Sequence, residues 1–166
     1  MNIVLIGMRG SGKSTIAKLL SKKLGKPYYD MDVLLSENAG MPISEVVKRY
    51  GWEHFRNQES ALAEEIAKKK NVVISTSGGI VTREENIAAL KNSGKFIFLK
   101  TSVAVMLKRI GNSKSRPALT DKKTLKEEIK EIWKIRKSLY ESSADITINT
   151  DNKTLSEITQ EIVKQL

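Results

Sequence analysis

The sequence predicts an α/β fold with a mainly parallel sheet, and three observations carry that prediction. Five short runs rich in β-branched or aromatic residues, NIVLI, PYYD, NVVIS, KFIFLK and DITIN, are spread along 166 residues. Amphipathic helical stretches lie between them, and strands that alternate with helices assemble into parallel sheets. The first run leads directly into GMRGSGKST, residues 7–15, a glycine loop whose meaning depends on a strand before it and a helix after it.

NIVLI is a β-branched run of buried-strand character, and after the loop Ile16, Leu19, Leu20 and Leu24 recur at helical spacing until Gly25 ends the helix. Between them, Gly7, Gly12, Lys13 and Ser14 occupy the fixed places of the pattern Gly, four residues, Gly, Lys, Ser/Thr. Glycines there let backbone N–H groups approach phosphate oxygens, Lys13 can reach the β and γ phosphates, and the Ser14 hydroxyl can ligate magnesium. The helix N-terminus adds its dipole and free N–H groups to the same anion.

The second strand ends in YYDMD, with Asp30 and Asp32 two residues apart. If the strand continues, both carboxylates share one face, at the carboxyl edge where open α/β sheets bind ligands. Two like charges there suit hydroxyl recognition, since one carboxylate can take the proton of an attacking hydroxyl and also reach magnesium-bound water. Asp32 alone would also serve as a helix cap. Further on, GWEHFRNQE reads as a helix with Trp52 and Phe55 on its apolar face. Arg56 follows Trp52 by four and precedes Glu59 by three, so Glu59 can hold the guanidinium in one orientation. His54, the single histidine, falls on a different face and reads as surface.

After the third strand, STSGG brings Gly78 and Gly79 to the carboxyl edge, where paired glycines allow backbone amides close to a ligand or simply make a tight turn. Thr82 with Glu85, and Thr154 with Glu157, have capping-box spacing and mark two helix starts. Residues 111–123, GNSKSRPALTDKK, are polar and aperiodic and have the length of a lid. In it Arg116 precedes Pro117 and can swing onto a transferring phosphoryl group. Arg136 shares a helix face with Trp133 and Tyr140, three residues after one and four before the other. A core Trp133 would turn Arg136 inward.

Composition narrows the function. The chain has 40% hydrophobic and 29% charged residues, the proportions of a soluble globular protein, and no cysteine, which excludes disulfides and thiol chemistry. With Met1 running into the first strand and no long apolar run, a cytoplasmic protein without a membrane partner is expected. No repeat or linker interrupts the chain, so residues 1–166 are expected to form a single domain. The net charge of +10 comes mostly from lysine, as in KKK at 68–70, and only seven residues are arginine. Lysine of this kind coats surfaces, whereas arginine's planar fork suits carboxylates and phosphates. Few aromatics accompany the basic residues, which disfavours a nucleic-acid module. A GTPase is disfavoured too: the nearest match to Asn-Lys-x-Asp is NKTL at 152–155, with Leu155 in the acid's place. A small-molecule kinase is the favoured class.

Taken together, GMRGSGKST, the DMD pair, FRNQE, SGGIV, RPAL and RKSLYESSAD stand in the order found in shikimate kinases. The chain resembles that family over its whole length. The resemblance implies a P-loop NTPase of nucleoside-monophosphate-kinase-like fold, with a five-stranded parallel sheet flanked by helices, an acceptor-binding region over about residues 31–60 and a lid over about 111–123. It implies transfer of the γ-phosphoryl group of ATP to the 3-hydroxyl of shikimate, with Mg2+, by a monomer in aromatic amino acid biosynthesis. By the same resemblance, Asp32, Lys13 and Arg116 are catalytic. Gly10, Ser11, Gly12, Lys13, Ser14, Thr15, Arg109 and Arg116 bind ATP, with Arg109 against the adenine. Asp30, Asp32, Arg56, Gly78, Gly79 and Arg136 bind shikimate, the two arginines on its carboxylate, and magnesium is held by Ser14 and, through water, by Asp32. Two departures stand out: Ser77 where the family usually has a third glycine, and RPAL for RPLL. A gluconate-type kinase would satisfy a similar set of residues and is the alternative.

Overall fold

A computed structural model describes residues 1–111 and 124–166. The expected lid beyond Gly111, and Arg116 with it, lies outside the described residues.

Five strands form one parallel sheet in the order β2-β3-β1-β4-β5. They are β1 (Asn2–Ile6), β2 (Tyr28–Asp30), β3 (Val73–Ser75), β4 (Gly94–Lys100) and β5 (Ile146–Asn149). β1 lies in the middle and is buried at every position, as expected of a strand covered on both faces. Its side chains alternate: Ile3 and Leu5 join one core layer, Val4 and Ile6 the other. At about 1.5–3 kcal/mol for each large apolar side chain buried, these four outweigh any single surface contact in the protein.

Helices α1 (Lys13–Leu24) and α7 (Leu155–Gln165) cover one face through Ile16, Leu20, Ile158 and Ile162. Leu19 stands at the margin of the α1 stripe and is exposed, and Ala17 takes the inward place. The other face carries α2 (Met31–Ala39), α3 (Ile43–Ala67), α4 (Glu84–Lys91), α5 (Val103–Ile110) and α6 (Leu125–Ser143), through residues such as Met31, Phe55, Leu90, Met106 and Tyr140. Because all strands run the same way, the phosphate loop after β1, the Asp30 turn after β2 and the loop after β3 emerge at one edge.

Two local expectations are corrected, and one helix carries a break. β2 does not continue to Asp32: its last residue, Asp30, caps α2, accepting hydrogen bonds from the N–H groups of Asp32 at 3.0 Å and Val33 at 3.3 Å. The cap is therefore Asp30, not Asp32, and the two carboxylates are set apart by a helix start rather than aligned on a strand. Thr82 does not cap α4, which starts after Arg83 without a side-chain cap; the Thr82 hydroxyl instead donates to the Gly79 carbonyl at 2.7 Å within a 3-10 turn, Ile80–Thr82. Inside α3, Gly51 adopts φ 84° and ψ 169°, which breaks the helix just before Trp52 and re-aims its second half.

The Thr154–Glu157 box forms in full: the threonine hydroxyl receives the Glu157 N–H, and the Glu157 carboxylate receives the Thr154 N–H. Losing such a cap costs about 0.5–2 kcal/mol. Thr154→Ala is therefore expected to lower the melting temperature by roughly 1–8 °C for a chain of this size, followed by circular dichroism. An unshifted melt would mean that packing alone holds α7.

Candidate functional site

The site is built from two neighbouring parts. In the first, the phosphate loop turns from β1 into α1 through Gly7, Gly10 and Gly12, all at positive φ. Gly7 has further reason to be glycine, since a side chain there would press on the Leu99 carbonyl. The loop is laced together by Lys13, whose Nζ donates to the carbonyls of Gly7 at 2.8 Å and Met8 at 3.0 Å. Ser14 and Thr15 stand exposed on the first turn of α1, and the Ser14 hydroxyl is 3.4 Å from that of Ser75 at the end of β3. Arg109, from the last turn of α5, donates to the carbonyls of Gly10 at 3.4 Å and Ser11 at 3.2 Å. It thus borders the phosphate loop.

Beside this loop is a cavity that opens to solvent. Asp32, Arg56, Gly78, Gly79 and Arg136, five of the expected acceptor residues, line it together. Asp30 is the exception. Its carboxylate caps α2 and receives the Tyr28 hydroxyl at 2.7 Å, and it is not part of the cavity wall. Burial, followed by the hydrogen bond to Asp30, keeps the Tyr28 hydroxyl protonated well above its ordinary range. It therefore acts as a donor.

Arg56 is held from several sides. Its Nη1 donates to both Glu59 oxygens, at 2.8 and 2.9 Å, and its guanidinium lies 5.3 Å from the ring centres of Trp52 and Phe55. The guanidinium also lies against Gly79, so that any side chain at 79 would collide with it. That contact explains a glycine without positive φ. Glu59 is fully buried and receives, besides Arg56, the hydroxyl of Ser77.

Arg136 reaches the cavity from α6, whose inward face is anchored by Tyr140. This tyrosine is fully buried, stacks on Phe98 with ring centres 5.2 Å apart, and donates to the Gly78 carbonyl at 2.5 Å. Trp133 is partly buried against the same core, which turns Arg136 inward as the spacing predicted. Burial lowers the pKa of the Arg136 guanidinium, and Arg56 pushes the same way, against the opposing pull of Tyr140 and Glu59. Arginine stays charged regardless. Among the described residues Arg136 makes no ion pair, whereas Arg56 is matched by Glu59 and Arg9 by Glu128 at 3.3 Å. Among the described residues, then, the half-buried Arg136 cation has no carboxylate partner, a costly arrangement unless an anion meets it.

Arg9, Met8, Ile43 and Ser77 also line the cavity and were not among the expected site residues. Arg9 had one visible signal, its membership of a small set of arginines in a lysine-rich chain. Its partner Glu128 lies 119 residues away and left no local signature.

A family model described as Shikimate kinase matches residues 9–166. The shikimate kinase of Thermodesulfovibrio yellowstonii is 39% identical over 164 residues, covering 99% of this chain and 94% of that one. That of Thioalkalivibrio sulfidiphilus is 37% identical over 161 residues, covering 97% and 84%. A solved structure of shikimate kinase from Acinetobacter baumannii in complex with shikimate superposes with a TM-score of 0.94 at 30% identity, covering 99% of this chain and 91% of that one. A gluconokinase from Sinorhizobium meliloti shares the fold alone, with a TM-score of 0.57 at 17% identity over 98% of this chain and 89% of that one.

Tyr140→Phe isolates the anchor of α6. It leaves the buried Gly78 carbonyl without its donor, at a cost of about 1–3 kcal/mol. Urea unfolding should show that loss with an unchanged slope; undiminished stability would mean that stacking on Phe98 suffices.

Proposed function

The chain belongs to the shikimate kinase family, and from that premise we propose that it transfers the γ-phosphoryl group of ATP to the 3-hydroxyl of shikimate, giving shikimate 3-phosphate and ADP in aromatic amino acid biosynthesis. The observation that supports this reading most is the charge pattern of one cavity beside the phosphate loop, whose lining brings Arg56, Arg136 and Asp32 together. Shikimate carries one carboxylate and several hydroxyls. Guanidinium groups match the first and a carboxylate acceptor matches the second.

In the proposed reaction the whole chain acts as one kinase unit. Arg56 and Arg136 hold the substrate carboxylate, Gly78 and Gly79 give its ring close access to the backbone, and Asp32 orients the attacking hydroxyl. As the hydroxyl oxygen bonds to the γ-phosphorus and the bond to the β,γ-bridging oxygen breaks, Asp32 takes the hydroxyl proton. Residues 10–15 cradle the nucleotide phosphates through backbone N–H groups, and Lys13 moves from the Gly7 and Met8 carbonyls to meet the transferring group. Arg109, already at the rim of the loop, flanks the base.

Magnesium fits the donor set at the loop. Ser14 offers an exposed hydroxyl, and among the described residues no cluster of three or more His, Cys, Asp or Glu side chains forms a metal cage. Mg2+ suits such a site because it keeps most of its waters and takes one or two protein oxygens together with substrate phosphates. When bound it neutralises charge developing on the phosphate oxygens; Ser14 would hold it, and Asp32 would reach it through water. A cytoplasmic monomer belongs to the same proposal. Among the described residues no helix is long and apolar enough to cross a membrane.

The deciding experiment measures ADP release with ATP and magnesium in the presence of shikimate, gluconate or nucleoside monophosphates. Shikimate should stimulate release strongly and the others weakly; equal stimulation by gluconate would overturn the reading. In the same assay Asp32→Asn should reduce turnover by roughly two to four orders of magnitude, the range for a positioned acid-base group, with nucleotide affinity retained. Near-normal turnover would remove Asp32 from the chemistry. Arg136→Lys replaces a planar fork by a point charge and should weaken shikimate binding about tenfold to a hundredfold, leaving ATP affinity unaltered by calorimetry. Wild-type shikimate affinity with a lowered melting temperature would make Arg136 a structural residue.

A further inference from the structure

We propose that Ser77 is a positioning residue for the cavity: acting through Glu59, its hydroxyl sets the orientation of Arg56 and thereby the affinity for an anionic acceptor. The identity of that acceptor rests on the kinase reading, whereas the link from Ser77 to Arg56 rests on geometry alone.

Arg56 contacts both oxygens of Glu59 through one nitrogen, Nη1, and not through the two-pronged fork that locks most arginine–carboxylate pairs. Among the described residues its Nη2 and Nε make no hydrogen bond, so they remain available to a ligand. An attachment at one nitrogen orients the guanidinium less firmly than a fork would, so its setting between the Trp52 and Phe55 rings and Gly79 depends on where the carboxylate is fixed. The terminal torsion of a glutamate is soft, with broad minima. Here the fixing comes from Ser77, 2% exposed, whose hydroxyl donates to Oε1 of the fully buried Glu59.

Ser77 is well placed to be rigid. It follows β3 by two residues, Thr76 before it is tied to the Leu5 carbonyl by backbone and side chain at 3.2 and 2.8 Å, and Gly78 after it is tied to Tyr140. The serine therefore transmits the position of the sheet to the carboxylate, and the carboxylate to the arginine. Remove the hydroxyl and Oε1 keeps Arg56 as its donor, but the carboxylate can rotate and carry the guanidinium with it. Gly79 and the rings of Trp52 and Phe55 limit the movement without supplying a hydrogen bond from these side chains.

The test uses Ser77→Ala, Ser77→Thr, Arg56→Lys and the double variant Ser77→Ala with Arg56→Lys. Shikimate affinity is measured by calorimetry and the steady-state constants by ADP release. Ser77→Ala should weaken shikimate binding about threefold to tenfold, the share of a hydrogen bond to a charged group that reaches the ligand, with the loss falling on KM rather than kcat. Ser77→Thr, which keeps the hydroxyl, should recover it. In the Arg56→Lys background Ser77→Ala should add less than about twofold, because residues acting through one another are not additive. Unaltered shikimate affinity in Ser77→Ala, or the full penalty in the Arg56→Lys background, would overturn the proposal.

The same variants decide the matter if wild-type protein fails to bind shikimate, an outcome that would sink the kinase reading by itself. In a nitrogen-15 spectrum of the arginine Nε–H groups, the Arg56 signal is identified by its disappearance in Arg56→Lys. Ser77→Ala must shift or broaden that signal and Ser77→Thr must restore it. A signal indifferent to Ser77 refutes the link.

Discussion

Glu59 is cut off from water, and a carboxylate in that position has to be neutralised where it stands. An uncompensated charge there would cost several kcal/mol, a large fraction of the stability of a chain this size. The requirement joins two parts of the fold that are distant in sequence. Glu59 belongs to the second half of α3, and the serine that shares it comes from the loop after β3. Its arginine is then pressed against Gly79 and two aromatic rings. Satisfying one buried acid thus fixes where α3 sits on the sheet and presents a cation to the cavity. The break at Gly51 belongs to the same arrangement, because it sets the direction in which the half carrying Arg56 sets out.

Arg136 follows a different rule. Among the described residues it makes no ion pair, and it is carried to the cavity by its helix neighbours: Trp133 and Tyr140 pack against Phe98 while Arg136 lines the cavity. Two guanidinium groups then line one cavity, and burial first, then Arg56, lowers the pKa of Arg136. A desolvated cation of this kind costs stability that a bound anion offsets, so stability is traded for affinity. Site electrostatics set up before the ligand arrives need no reorganisation when it does.

Much of this was legible in the residue order, for identifiable reasons. The phosphate loop is read from consecutive residues, and Arg56–Glu59 and Arg136–Tyr140 from helical spacing, all of them local patterns. What remained hidden was either a competition between two local rules or a contact between remote segments. Asp30 could continue a strand or cap a helix, and the two N–H groups of Asp32 and Val33 decide for the cap. Thr82 had capping-box spacing but lies in a turn that occupies its hydroxyl with Gly79. The pairing of Ser77 with Glu59, of Arg9 with Glu128 and of Arg109 with the phosphate loop depends on how the elements stack. No residue spacing encodes it.

The outer strands of the sheet bear on how the protein coexists with copies of itself. β2 spans three residues and β5 four, whereas the interior β4 spans seven. An unsatisfied strand edge is a template on which another chain can add by backbone hydrogen bonding, and its hazard grows with length and flatness. A three-residue edge that turns at once into a capped helix offers an incoming strand very few bonds. β5 buries Ile146 and Ile148 while Thr147 and Asn149 face water, which denies a partner a greasy surface. Among the described residues the longest rows of peptide groups lie inside the sheet, where neighbouring strands already use them, so the two sheet edges give another copy little on which to add a strand.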